Sequence, residues 1–215
     1  MYEPYMDLIH RWFLKAKIII DPFHIIQALN RELNRYRVQF MNSVHNTDQR
    51  LHNKLKYYWK LILKNPAKLQ ATTYDRFRLF DWLTNTQNIV NYLLEYDACL
   101  RVTYRIVHRL SQAYRLKNWE LFESTLIQAN QHEISSGLKR VLRSFKKYLP
   151  YIRNSFTYTG LTNGPLEGTN NKIKVLKRNA YGYRNYSHFR NRILLMTCLY
   201  EPKPKKKDQA TLLVA

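Results

Sequence analysis

Apolar residues recur every three to four positions along most of this chain, which is the spacing of one face of an α-helix. Residues 1–14 (MYEPYMDLIHRWFL) follow this spacing, and so do residues 23–42 (FHIIQALNRELNRYRVQFMN). In the second segment the apolar side is formed by Ile25, Ile26, Leu29, Leu33, Tyr36 and Phe40. The pattern predicts one amphipathic helix over each segment.

A short run between these two helices has a different pattern. Ala16 to Asp21 (AKIIID) is rich in β-branched residues and shows no alternation of apolar and polar positions. Such a run, ending in a polar residue, is typical of a strand that is buried on both faces. Pro22 stops the strand and suits the first position of the following helix.

From about residue 51 to residue 148 the helical spacing continues, and no segment is predicted to be a strand. Short breaks at Asn65–Pro66, Lys117–Asn118 and Asn130–Gln131 separate the predicted helices. Asn118 is placed to cap the helix that begins at Trp119. The spacing of the segments matches no known solenoid period, so we predict an irregular helical block.

The last part of the chain begins with a turn-rich stretch, residues 157–165, followed by a helix to about Arg178. The segment NAYGYRNY is predicted to be a loop, and SHFRNRILLMTCLY a final helix. The remaining residues, EPKPKKKDQATLLVA, form a basic tail that we expect to be disordered.

The charge of the chain points to a polyanionic partner. It has 215 residues, with 36 Lys and Arg against 15 Asp and Glu, which gives a net charge of +21. Such a charge opposes compaction unless a polyanion neutralises it, and nucleic acid is the natural candidate. A ribosomal or membrane-surface protein is the alternative. Because 45% of the residues are hydrophobic and 14% are aromatic, the composition is not that of a disordered protein.

Cysteine usage and hydropathy favour a cytoplasmic protein. Cys99 and Cys198 are far apart and form no CxxC pair, so we interpret them as buried thiols in a reducing compartment. No apolar run reaches the length of a membrane span, and the N-terminus lacks a signal-peptide pattern. We therefore expect a soluble cytoplasmic protein without a membrane partner.

Glu167 stands out because it is surrounded by bases in TNGPLEGTNNKIKVLKR, residues 162–178. Pro165 suits the first position of a helix, so Glu167 falls in its first turn. At about 100° per residue, one face carries Glu167, Asn171, Lys174 and Arg178. Another face carries an apolar stripe, Leu166, Ile173 and Leu176, which we expect to be buried. A structural interpretation is also open, since an acid in a first turn is stabilised by the helix dipole.

Asp21 is the second acid of interest. A carboxylate just past a buried strand lies where parallel-sheet proteins place their chemistry. The alternative is that Asp21 only caps the helix that begins at Pro22. No pair among the seven histidines has the spacing of metal ligands together with a carboxylate partner. The sequence also contains no Walker-type loop, Ser-His-Asp arrangement or dinucleotide fingerprint.

Two segments together resemble a known family. IIIDPFHIIQ, residues 18–27, and NGPLEGTNNKIKVLKRNAYGYRNYSHFRNRIL, residues 163–194, are similar to motifs of the DDE transposases of bacterial insertion sequences, in particular the ISL-three group. That family is similar in fold to RNase H, and a helical insertion separates its second and third acids. From the second acid onward, the resemblance covers essentially the whole chain.

The resemblance implies specific roles for residues of this sequence. Asp21 would be the second catalytic acid and Glu167 the third, both ligands of Mg²⁺ or Mn²⁺. His24, Asn163 and Asn171 would be neighbours of the site. Basic residues near Glu167 would bind DNA, both the ends of the element and the target. These residues are Lys172, Lys174, Lys177, Arg178 and Arg184. Two divalent cations about 4 Å apart serve such strand cleavage and transfer, and carboxylates are hard ligands suited to magnesium.

The family pattern contains parts that this sequence does not match. Its first catalytic aspartate belongs to an upstream strand, and Asp7 is no substitute because it lies in a helical pattern. The zinc-binding and helix-turn-helix segments also lie upstream. The sequence therefore resembles the C-terminal portion of a transposase, and we expect this truncated chain to be inactive alone.

The apolar spacing predicts a mostly α chain, and the resemblance implies an incomplete RNase H-like (α/β) catalytic domain with a large helical insertion. The predicted regions are a partial core with the second acid, 1–50; the insertion, 51–156; the C-terminal core helices with the third acid, 157–200; and a basic tail, 201–215.

Other functions stay open at this point. The chain could be a non-catalytic fragment that binds DNA of any sequence. Such a fragment would form a homodimer or a complex with a full-length transposase. It could also be an inert helical remnant whose strand has lost its partners. The sequence does not identify the DNA ends, the oligomeric state or whether the chain is expressed.

Overall fold

The computed structural model describes residues 3–197, and these are mostly helical. Eleven α-helices, two short 3₁₀ helices and one β-hairpin account for the described elements. In chain order they are α1 (Glu3–Trp12), α2 (Pro22–Ser43), α3 (Gln49–Tyr57), α4 (Trp59–Leu63), a 3₁₀ helix (Pro66–Lys68), β1 (Asp75–Arg76), β2 (Leu83–Thr84), α5 (Thr86–Glu95), α6 (Ala98–Arg115), α7 (Trp119–Gln128), a 3₁₀ helix (Ala129–Gln131), α8 (Ser136–Lys147), α9 (Leu149–Thr157), α10 (Gly164–Asn179) and α11 (Tyr186–Thr197).

Short polar side chains begin most of the longer helices. Each accepts a hydrogen bond from a backbone N–H of the first turn, which otherwise has no partner within the helix. These N-caps are Asp21, Asp48, Asn85, Asp97, Asn118 and Ser135. The predicted cap at Asn118 is confirmed, because its side chain accepts from the N–H of Leu121 at 2.8 Å.

The chain divides into two compact units, Met1–Leu161 and Thr162–Ala215. The predicted subdivision of the first 156 residues into a partial catalytic core and an insertion stays a prediction. The predicted tail, 201–215, lies outside the described residues.

The core of the first unit is built around α2 and α6. Helix α6 packs against α2, α5 and α7, and α2 also packs against α3, α4 and α8. Leu29, Leu33, Leu100, Leu110 and Phe122 are completely buried there. Burying each such side chain contributes about 1.5–3 kcal/mol, so this cluster supplies much of the driving force for folding.

Two charged side chains of α2 are also buried. Arg37 donates from Nη1 to the carbonyl of Leu55 at 2.9 Å, and burial lowers the pKa of its guanidinium. Glu32 forms an ion pair with Arg35 at 3.3 Å and lies against Gly137 at the start of α8. A Cβ at residue 137 would be 2.0 Å from Glu32 Oε2, so glycine allows this close approach.

The strand predicted for residues 16–21 is wrong. The segment is extended, but no strand pairs with it in the part of the chain that the structure describes. Its backbone bonds to α9 instead: Ile20 N donates to the carbonyl of Tyr151 at 3.5 Å, and Asn154 Nδ2 donates to the carbonyl of Ile18 at 2.9 Å. Strands need neighbouring strands for their backbone groups, and here a helix satisfies part of that need.

The helical pattern at residues 74–83 (YDRFRLFDWL) is also misleading, because this segment forms the β1–β2 hairpin. Asp75 lies opposite Thr84, and Arg76 lies opposite Leu83. Phe80 is buried against the rings of Tyr58 and Tyr92, with centroids 5.6 and 5.4 Å away. These contacts with distant helices, which local periodicity does not encode, favour the hairpin over a helix.

The described part of the second unit consists of α10, α11 and the loop between them. Pro165 lies at the start of α10 and Glu167 in its first turn, as predicted. The predicted burial of the apolar stripe on α10 is wrong in part, since Leu166 is 58% exposed and no residue of α10 is fully buried. Two described helices offer too little surface to bury that stripe within this unit.

The helices of the described chain are either too short or too polar to cross a membrane.

Candidate catalytic and nucleic-acid-binding residues

Asp21 lies at the junction between the extended segment 16–21 and α2. Its Oδ1 accepts a hydrogen bond from the N–H of Phe23 at 2.8 Å, and its backbone is extended (φ −60°, ψ 124°). The capping role considered from the sequence is therefore confirmed. Because a carboxylate has about four acceptor directions, a cap can also bind a cation.

The segment that leads to Asp21 is held by α9 and its C-terminal flank. Besides the bonds of Tyr151 and Asn154 described above, Lys17 places its ammonium 5.5 Å from the ring centroid of Tyr158. The hydrogen bond with Tyr158 raises the pKa of Lys17. These supporting residues were missed from the sequence, since more than 130 positions separate them from the segment and no local pattern links them.

His24 lies in the first turn of α2, next to Asp21 in the fold as well as in the sequence. Its backbone N–H donates to the carbonyl of Asp21 at 3.1 Å, and its ring meets that of Phe23 edge-on at 5.7 Å. Both side chains are exposed, so this turn presents an acid, a histidine and an aromatic ring at the start of a helix.

Glu167 occupies the corresponding place in the second unit, the first turn of a helix. Its N–H donates to the carbonyl of Asn163 at 3.0 Å, and its side chain is half-buried. The positive end of the α10 dipole stabilises an ionised carboxylate here. Both acids thus lie at the start of a helix, Asp21 as an N-cap and Glu167 in the first turn, and they belong to different compact units.

The bases that follow Glu167 are exposed along α10. Lys172, Lys174, Lys177 and Arg178 are solvent-accessible, and so are the predicted site neighbours Asn163 and Asn171. Within residues 162–197 there are seven Lys and Arg and a single acid, Glu167. The described surface of this unit is therefore strongly positive, as a phosphate-binding surface requires.

Arg184 lies in the loop between α10 and α11. Tyr181 and Gly182 adopt positive φ values of 51° and 99°, which turn the chain after α10. The ring of Tyr183 packs against Phe189 of α11 at 4.8 Å and anchors the loop. Arg184 is exposed beside this anchor.

No group of three or more His, Cys, Asp or Glu side chains among residues 3–197 is arranged to hold a metal ion. The candidate ligands are therefore the two carboxylates, one in each unit. Their chemistry fits Mg²⁺ or Mn²⁺, which prefer hard oxygen donors.

Comparisons with known proteins agree with the motif resemblance. The family model of the ISL3-type DDE transposases, described as a transposase, matches residues 1–193. The transposase for insertion sequence element IS1001 of Bordetella parapertussis is 28% identical over 178 residues, which are 81% of this chain and 40% of that protein.

A second relative has a different name. A Lactococcus lactis subsp. lactis protein named ATP-dependent protease is 34% identical over 193 residues, which are 88% of this chain and 56% of that protein. The chain thus spans about half the length of the curated relatives it matches. No solved structure matches it. Since the family model covers nearly the whole chain, the chain belongs to the ISL3 family of DDE transposases, the ISL-three group of the motif comparison.

Proposed function

We propose that this chain supplies two of the three catalytic acids of a DDE transposase that cleaves and transfers DNA strands. The observation that carries the proposal is the family match over residues 1–193, which contains both acid-bearing motifs. In this proposal Asp21 is the second acid, Glu167 is the third, and the domain has the RNase H-like fold of the family. The Lactococcus relative bears a different name, but the transposase family model matches residues 1–193 of this chain.

The two acids would act as ligands of Mg²⁺ or Mn²⁺. When bound, the metal activates the attacking oxygen and stabilises the leaving oxygen of the phosphodiester. The residues of the chain prepare for this. Phe23 N–H orients the Asp21 carboxylate by its 2.8 Å hydrogen bond. Glu167 lies in the first turn of α10, at the positive end of the helix dipole. His24, Asn163 and Asn171 would be neighbours of the metal ligands.

The exposed lysine and arginine side chains of the second unit would bind the DNA backbone. Lys172, Lys174, Lys177, Arg178 and Arg184 would neutralise phosphates and fix the register of the duplex without reading its sequence. Binding of this kind weakens steeply with added salt. A second copy of the chain, or a full-length transposase, would be the protein partner.

The first acid would come from a preceding part of the complete transposase. Asp7 does not take its place, because it is an exposed residue inside α1. We therefore expect the isolated chain to show little or no strand transfer. In Mn²⁺, robust nicking by the isolated chain that Glu167→Gln abolishes would contradict this expectation.

The catalytic assignment is tested by transplanting the chain into a complete relative. In a chimera, the aligned segment of this chain replaces its counterpart in the IS1001 transposase, and transposition is counted in cells. Asp21→Asn and Glu167→Gln should each lower transposition at least about a hundredfold, since even the outer partners of metal ligands cost 10- to 100-fold. Asp7→Asn is the matched control and should change little. Asp21 and Glu167 variants as active as the control would refute the assignment.

A DNA-binding role without catalysis is the second candidate, and the seven-to-one excess of bases over acids in residues 162–197 favours it. Under this alternative, duplex binding is lost on substitution of Lys172, Lys174, Lys177 and Arg178 by Gln. The chimera's transposition would then be indifferent to Glu167→Gln.

A further inference from the structure

Helix α6 in the first unit carries a row of arginines that the family motifs do not include. Arg101, Arg105 and Arg109 follow one another at intervals of four, and Arg115 continues the row toward the end of the helix. At about 100° per residue, all four fall on one side of α6. All are exposed, and the helix itself contains no acid. The i, i+4 spacing was visible in the sequence, but only the structure shows what lies beside it.

A concave surface lies along this side of α6. A cavity of about 400 Å³ is formed between α6 and the 3₁₀ helix Pro66–Lys68. Its α6 wall is Tyr104, Arg105, His108, Arg109, Gln112 and Arg115, and its other wall is Asn65, Pro66 and Ala67. We call this cavity the α6 cleft. Two further hollows share residues with it, Arg105 and Arg109 at one side and Asn65, His108 and Arg115 at the other.

The α6 cleft holds donors that the protein itself does not use. Tyr104 is only 8% exposed, and its hydroxyl has no hydrogen-bond partner among the described residues. Buried polar groups are normally paired, so an orphan of this kind needs an explanation. Burial raises the pKa of Tyr104 to about 12, so the hydroxyl stays protonated and able to donate.

The wall behind these donors includes a buried histidine. His108 is buried, and its Nε2 donates to the carbonyl of Ile62 at 2.9 Å. Its ring centroid lies 4.3 Å from that of Tyr104, and the two rings are tilted by 60°. Arg105, Arg109 and Arg115 form no ion pair within the part of the chain that the structure describes. Three arginines without an ion pair therefore line one cleft, together with a tyrosine whose buried hydroxyl has no partner among the described residues.

We propose that the α6 cleft binds phosphates of a DNA backbone, through Arg105, Arg109 and Arg115 with Tyr104 as an additional donor. Guanidinium groups suit phosphate because their planar N–H donors match its oxygens. The cleft would be a second DNA-binding surface. It is formed by the first unit alone and is separate from the basic residues of α10. The choice of DNA rests on the proposed function.

The length of the arginine row favours a polymer over a free phosphate ion. Arg105 and Arg115 are ten residues apart, which is about 15 Å along a helix. One phosphate ion cannot contact guanidinium groups spread over that distance. A duplex carries a phosphate about every 3.4 Å of axis on each strand, so several phosphates pass within the same length.

The test is duplex binding by the full 215-residue chain, measured in EDTA so that metal-dependent chemistry plays no part. A fluorescein-labelled 20-base-pair duplex of arbitrary sequence is titrated at 50–200 mM salt. The test variant is Arg105→Gln/Arg109→Gln/Arg115→Gln. The matched control, Lys139→Gln/Arg140→Gln/Arg143→Gln, removes three exposed cations from α8 that line none of these hollows.

The test variant should bind the duplex at least about tenfold more weakly than the wild type. In a plot of log affinity against log salt concentration, the slope should become shallower by about 0.9 for each phosphate contact that is lost. The control should lose less than about threefold. Equal losses in the two variants would mean that only net charge matters and would overturn the proposal.

Tyr104→Phe gives a second measurement that changes no charge. A purely structural hydroxyl without a partner predicts unchanged or higher thermal stability and wild-type binding. The proposal predicts the same stability and duplex binding several-fold weaker. Wild-type affinity of Tyr104→Phe would overturn the role of the hydroxyl.

A further measurement distinguishes binding of DNA by the α6 cleft from binding of free phosphate. Inorganic phosphate at 10 mM is added while the melting temperature is followed. If phosphate stabilises the wild type but not the triple variant, and duplex binding is the same in both, the cleft binds a small anion and the DNA assignment is wrong. Because no arm requires cleavage, failure here is distinct from failure of the catalytic proposal.

Discussion

The two compact units of this transposase chain differ sharply in how much of themselves they bury. In the first, α6 alone has eight buried residues, and α2 and α6 together organise a continuous apolar core. In the second, α10 and α11 have no fully buried residue among those described, and bases outnumber acids seven to one over residues 162–197. Yet each unit places one candidate catalytic acid in the same local setting, at the N-terminal end of a helix. Stability and acid placement are therefore separable in this chain, because a helix terminus needs only a few residues whereas a core needs many.

The largest expected contrast comes from the same substitution in the two units. Leu110→Ala in α6 should lower the free energy of unfolding by about 2–5 kcal/mol, because the side chain is completely buried. Leu166→Ala in α10 should change it by less than about 0.5 kcal/mol, because the side chain is 58% exposed. Urea unfolding of the full chain, followed by circular dichroism, measures both. A large loss for Leu166→Ala would show that α10 contributes to the cooperative core.

Replacing glycine by alanine should have opposite signs in the two units. Gly137→Ala places a Cβ 2.0 Å from Glu32 Oε2, which forces a buried carboxylate to move and costs about 1–3 kcal/mol. Gly168→Ala in α10 meets nothing within 4 Å and should stabilise the helix by about 0.5–1 kcal/mol. The melting temperature of each variant gives the sign.

The Glu32 contact can be isolated by a double variant. Glu32→Ala combined with Gly137→Ala should show little of the added cost of Gly137→Ala, because the clashing atoms are gone. If Gly137→Ala lowers stability equally with and without Glu32, the loss does not come from the contact with Glu32.

The two acids should differ in what they contribute to stability. Asp21→Ala removes the cap of α2 and should cost about 0.5–2 kcal/mol, whereas Asp21→Asn keeps a capping oxygen and should cost little. Glu167→Gln removes the charge interaction with the α10 dipole, which contributes about 0.3–1 kcal/mol. Thermal unfolding of the three variants orders them. Because Asp21→Asn separates the cap from the carboxylate, it is also the cleanest test of the metal-ligand role in the chimera.

The smallest expected effect is a pH dependence confined to the first unit. Burial lowers the pKa of His108 below its ordinary value of 6.5, and the positive charge of Arg115 lowers it further. The unfolded chain then binds a proton more readily than the folded one, so stability declines as the pH falls below about 6.5. His108→Gln should weaken this decline between pH 7.5 and 5.5, and the exposed His132→Gln should leave it unchanged. Equal slopes for wild type and His108→Gln would contradict the assignment.

Local patterns predicted most helices of this chain but missed two segments whose partners are distant. Residues 22–43 and 164–179 form helices because apolar spacing and a proline at the start coincide there, and Asp21 also caps the first of them. The hairpin at 75–84 has helical spacing, yet Tyr58 and Lys54 hold it: the Tyr58 hydroxyl donates to the carbonyl of Arg78, and the Lys54 ammonium lies 4.4 Å from the Phe80 ring centroid. Neither contact could be found by scanning a window of neighbouring residues.

The sequence by itself determined the family, the strong positive charge and the position of each candidate acid at the start of a helix. These properties depend on motif identity, composition and the few residues around Pro22 and Pro165. Only the tertiary structure decided that residues 16–21 are held by α9 without a paired strand. It also decided that the arginines of α6 border a cleft containing an unpaired tyrosine hydroxyl. The reason is physical: extended backbone and surface charge take their roles from neighbours brought close by folding, whereas a helix terminus satisfies itself within one turn.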